Sequence, residues 1–284
     1  MELVTEAFEP AFMQRALIGS LIAVVATSLV GTWVVLRGLA FLGDALAHGV
    51  IPGIALAVLW GFSPVLGALA AALVMSGLVT VVSSRTVVRE DTSIGLLFVG
   101  MLALGIIVVS RAQSFANELT SLLFGDVLGI TVGDIRGQAA ATTLVLVVTV
   151  VFYRPFLALT FNRDKAFTLG MRPGLAQAVL LGVLAVSIVA SFQAIGTLLV
   201  FGLIVGPPAT ASLIARRVPR IMVLSMLFGS LAVVAGLLIS FHHGTAGGAT
   251  IAGLSVAQFF LVLVIREAQA VLRRTSADAA VPVS

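Results

Sequence analysis

Nine apolar segments follow one another along the chain, at roughly residues 14–36, 40–60, 63–84, 93–110, 136–153, 175–192, 195–215, 221–240 and 248–265. Most approach the ~20 residues that a helix rising about 1.5 Å per residue needs to cross a hydrocarbon core of about 30 Å. Lipid offers no partners to backbone amides, so only helices or a closed barrel can span it. Barrel strands would alternate polar and apolar residues over about ten positions, and these runs do not alternate. The expected fold is an all-α polytopic transmembrane helical bundle with eight or nine spans, eight if two segments fuse or one re-enters the membrane. Residues 1–274 are read as one transmembrane domain and 275–284 as a disordered polar tail.

Charge fixes the expected orientation. Alternating the loops from an outside N-terminus puts 13 of the 16 basic residues on the inside, leaving Arg15, Arg111 and Arg136 outside. An excess of Lys and Arg in cytoplasmic loops orients membrane proteins, so the N-terminus is expected outside and the C-terminus inside. The start of the chain carries Glu2, Glu6 and Glu9 with no basic residue before Arg15, unlike a cleaved secretory leader. Only 10% of residues are charged, the net charge is +4 and there is no cysteine. The basic balance reports the inside loops and implies no nucleic acid, and thiolate metal ligands and disulfides are excluded.

Within the second segment stand Asp44 and His48, a carboxylate and an imidazole in a run otherwise made of Leu, Ala, Gly, Val, Ile and Pro. At (i, i+4) on a helix they share one face, a turn apart. An ionisable group near the bilayer centre costs on the order of 2.5–3.5 kcal/mol, and such residues mark ion routes or proton relays. The blander reading is a buried pair that satisfies itself. Carboxylate oxygen with imidazole nitrogen suits zinc or manganese, but two ligands fall short of a usual shell, so a dimer or other helices would have to complete it.

Four further features carry expectations. Pro207 and Pro208 remove two backbone donors from segment seven, predicting a broken helix beside a pathway or a kink that serves only packing. His242 and His243, in the outer hairpin SFHHGTAGGAT, are either a receiving point for metal or part of a solvated turn. The inside loop YRPFLALTFNRDKAFTLGMRPG reads as a short amphipathic helix around residues 161–170, either a docking element or a solvated connector. Between Arg111 and Arg136, SLLFGDVLGIT is too apolar for a free loop and too short to span; a half-helix with Asp126 near its turn is expected there. The only lysine, Lys165, follows an aspartate, so there is no P-loop, and no hydrolase or metalloprotease motif occurs. An enzyme is not expected.

Five stretches in order, VVLRGLAFLGDALAHGVIPGIALA, EDTSIGLLFVGMLALG, LLFGDVLGIT, FNRDKAFTLGMRPG and GTLLVFGLIVGPPATA, resemble the membrane permease subunits of bacterial ABC importers for zinc, manganese and iron, closest to a zinc-type branch of high-GC bacteria. The resemblance implies a homodimer of permeases in the bacterial cytoplasmic (inner) membrane, a separate cytoplasmic ATP-binding subunit under each, and an extracytoplasmic metal-binding protein that delivers the ion. It implies that Asp44 and His48 hold transported zinc, or next manganese, in the translocation path. It also implies that Arg163, Asp164, Lys165, Ala166 and Gly170 belong to the element that couples to the ATPase, with ATP on the partner and no permanently bound cofactor. A rival is a proton-coupled secondary transporter using the same pair without an ATPase; a non-transporting scaffold would leave the charged pair without a cause.

Overall fold

A computed structural model describes residues 6–85, 90–110, 129–161, 172–195 and 197–278. In chain order the helices are α1 (Ala11–Leu36), α2 (Ala40–Gly49), α3 (Ile51–Trp60), α4 (Pro64–Arg85), α5 (Glu90–Val109), α6 (Val132–Val151), α7 (Tyr153–Phe161), α8 (Pro173–Ile195), α9 (Thr197–Ile214), α10 (Val218–His243) and α11 (Gly247–Asp278). Eight stretches among the described residues are long and apolar enough to cross a membrane, α2 and α3 counting together as one; α9 is a shorter apolar helix. All nine apolar segments of the sequence are thus helical. The expected half-helix around Asp126 and the coupling residues Arg163 to Gly170 lie outside the described residues, while α6 begins at Val132 under a capping box in which Thr131 and Asp134 exchange hydrogen bonds. The last helix runs to Asp278, past Thr275.

α1 is the centre of the bundle, packing on α2, α6, α7, α8, α9 and α10. Trp33, fully buried, meets Tyr153 and Phe156 edge to face at 5.6 and 5.7 Å, which fastens α7 to it. Lipid supplies no hydrophobic drive between helices, so close backbone approach through small residues has to hold them. The crossing of α3 and α4 shows this: a Cβ on Gly53 would collide with the carbonyl oxygen of Gly67, and one on Gly67 with that of Gly53.

The proline expectations are redistributed. α9 continues as α-helix through Pro207 and Pro208, so the expected break is not there. Pro208 cannot donate to the Ile204 carbonyl four residues back. That oxygen points instead at Gly31 of α1, where a Cβ would collide with it. Thr210 Oγ1 also donates to the Gly206 carbonyl at 2.8 Å, and neighbouring helices and hydroxyls of this kind let a membrane helix carry proline. The break falls instead inside the second apolar segment, where helix stops at Gly49 and resumes at Ile51 with Pro52 in its first turn.

Candidate functional site

α2 is a ten-residue helix that buries Leu42, Ala45, Leu46 and Ala47 and packs against α1, α4, α5, α8 and α9. Gly43 turns to Ile204 and Phe201 of α9. The remaining stripe carries Asp44 and His48, whose side chains are 33% and 35% exposed. With an ideal rise they stand about 6 and about 12 Å along the helix from Ala40. Phe98 of α5 meets the His48 ring edge to face at 6.1 Å and Phe41 at 5.7 Å, so the pair sits on an aromatic-walled rim.

His48 Nδ1 donates to the Asp44 carbonyl oxygen at 3.1 Å and lies 3.4 Å from Asp44 Oδ1. A proton held on Nδ1 leaves the lone pair on Nε2, the arrangement of a metal-binding histidine whose far nitrogen is anchored. One turn further, Pro52 has no N–H for the His48 carbonyl, and the Val50 N–H turns to it instead. The hydrogen-bond ladder is therefore interrupted within two residues of the imidazole, although Val50 keeps helical dihedrals and the span continues. Irregular backbone at membrane depth is where transporters let carbonyls join side chains at an ion.

Sequence reasoning brought Asp44 and His48 together correctly as neighbours on one face, but missed Pro52 and Phe98. A proline four residues beyond an intramembrane histidine was the readable signal for Pro52; Phe98 lies 50 residues from His48 and has none. His242 and His243 end α10, exposed, with Nδ1 atoms directed to the carbonyls of Leu238 (2.9 Å) and Ile239 (3.2 Å). Adjacent residues diverge by about 100° around a helix of 3.6 residues per turn, so the two rings do not chelate together. No group of three His, Cys, Asp or Glu forms a metal cluster among the described residues.

A second polar assembly was also invisible in the sequence. Arg37, at the end of α1 with its side chain 8% exposed, places Nη2 3.3 Å from both carboxylate oxygens of Glu90, the first residue of α5. Gln177 of α8 donates through Nε2 to Glu90 Oε1 and, at 3.3 Å, to Ser83 Oγ of α4. Four helix ends are thereby joined next to Pro173, where the described chain resumes after residue 171, and α8 itself touches α2.

Comparison with known proteins matches this architecture. The model of the ABC 3 transport family covers residues 9–266. The chain is 33% identical to the manganese import system permease protein ScaB of Streptococcus gordonii, covering 93% of this chain and 94% of that one. It is also 33% identical to the chelated iron transport system membrane protein YfeD of Yersinia pestis, over 93% and 88%. Its fold superposes on PsaBC from Streptococcus pneumoniae, solved in complex with Fab, with TM-score 0.80, 29% identity and coverage of 92% and 94%. These matches set aside the secondary transporter and the scaffold: the chain belongs to the ABC 3 transport family and is a multi-pass membrane permease subunit of an ABC metal importer, not an enzyme.

Proposed function

We propose that the protein carries a divalent transition metal into the cytoplasm through a path in which Asp44 and His48 are the ligands of the moving ion. The observation that carries this is the placing of the pair. An anion and an imidazole on a membrane-spanning helix are one-third uncovered, beside a helix interruption, on a rim that no other described part of the chain closes. Lipid against that rim would cost several kcal/mol. A second protomer facing it would remove that cost and double the ligands, which supports a homodimer with the pair at the shared path. Nε2 of His48 and the free oxygen of Asp44 then replace part of the ion's water shell.

Names of relatives bear on the metal. Manganese in the names of several relatives and chelated iron in another favour manganese or iron over the zinc expected from the sequence. Oxygen and imidazole donors accept all three, and no thiolate biases the site toward zinc. ATP would be hydrolysed on a separate cytoplasmic subunit docked at residues 161–170. An extracytoplasmic binding protein would present the ion near His242 and His243, with the N-terminus outside and the C-terminus in the cytoplasm. Asp44→Ala and His48→Ala, expressed with the ATPase subunit in metal-depleted cells, test the reading by initial rates of manganese, iron and zinc uptake. Uptake at the parental rate for all three metals would end it.

A further inference from the structure

At the end of the bundle where α9 finishes and α11 continues toward the C-terminus, a cavity of about 680 Å³ opens between the two helices. Its polar lining is Arg216, Arg266, Gln269 and Ser212; its apolar wall includes Ile214 and Ile265. No carboxylate among the described residues lines it. Neither arginine makes an ion pair or hydrogen bond among the described residues, although both are exposed. Ile214 and Ile265 are 55% and 47% exposed, on the outer surface of the bundle. Two uncompensated guanidiniums thus stand over an aliphatic slot on the flank of a membrane protein.

We propose that this cavity binds one anionic phospholipid. The chemistry is specific on both sides. Guanidinium groups take phosphate oxygens by paired, charge-assisted hydrogen bonds, and basic pockets between transmembrane helices at the cytoplasmic border hold anionic headgroups. The aliphatic wall continues into the hydrocarbon region, where an acyl chain lies, so the occupant has an acidic head and an apolar tail. A soluble anion would satisfy the arginines but not the wall. The proposal depends on the cytoplasmic placement of this end only for which leaflet supplies the lipid; binding itself is independent of transport.

The test uses the full chain, purified with whatever subunits accompany it and exchanged into nanodiscs of phosphatidylcholine alone or mixed with phosphatidylglycerol. Bound lipid is read by native mass spectrometry. The parent retains phosphatidylglycerol in preference to phosphatidylcholine. The Arg216→Gln/Arg266→Gln variant loses retention about thirtyfold, about fivefold for each cation near the surface. Arg216→Lys/Arg266→Lys, which keeps the charge but not the paired hydrogen bonds, restores part of it, and that separates lost recognition from lost folding. Equal retention by the parent and the glutamine variant overturns the proposal, as does equal retention of the two lipids. Displacement of the lipid by inorganic phosphate would make the site one for free phosphate. Loss of an accompanying subunit with lipid unchanged would make it a protein interface. Metal uptake by the parent, measured separately, reports on the transport reading whatever the lipid result.

Discussion

His48 and Asp44 are joined through Nδ1 and the Asp44 carbonyl oxygen, 3.1 Å apart, so the helix backbone itself fixes which imidazole nitrogen is free. That nitrogen coordinates only when unprotonated. A proton on that nitrogen competes with the metal. Uptake by the parent should therefore fall as external pH is lowered. Initial rates over a series of external pH values check it. A His48→Gln variant should have a low and nearly flat profile, because nothing at position 48 then titrates.

The Ile204 carbonyl oxygen lies where a side chain at position 31 would be. Gly31→Ala should drive α1 and α9 apart and destabilise the protein by about 1–3 kcal/mol, the usual cost of overpacking. Gly77→Ala has nothing within 4 Å of the new methyl and should stay within about 0.5 kcal/mol of the parent. Thermal unfolding of the two variants in the same detergent compares them directly.

Glu90 holds a buried arginine and a buried glutamine at once. Glu90→Gln removes the charge facing Arg37. Because Glu90 is 27% exposed, the loss should be on the order of 2 kcal/mol, below the figure for a fully enclosed pair. The same substitution loosens α8 from α5 close to the start of α8, near the segment expected from the sequence to couple to the ATPase. Uptake should therefore fall more than the amount of folded protein does; a fall that only tracks protein amount would assign the assembly to stability alone.

What could be read from the sequence follows from the solvent. Lipid imposes length and apolarity on every span, so nine segments were legible as nine helical stretches. It also makes ionisable groups costly, so Asp44 and His48 stood out without any alignment. Proline was misread because its penalty is local and its relief is not. Pro207 and Pro208 look more disruptive than Pro52, but Gly31, far away in the chain, accepts the carbonyl that Pro208 frees. At Pro52 the helix gives way instead, directly after the histidine. The Glu90 assembly was hidden for a related reason: its partners Arg37 and Gln177 are 53 and 87 residues away, and nothing in a sequence pairs them.

The most direct test of Asp44 and His48 as ligands of the transported ion is uptake of isotope-labelled manganese, with zinc and iron in parallel, into metal-depleted cells carrying the parent, Asp44→Ala or His48→Ala permease at matched membrane levels. Each variant should lose nearly all uptake while remaining inserted and bound to its ATPase subunit. Parental uptake of every metal by both variants would contradict the account.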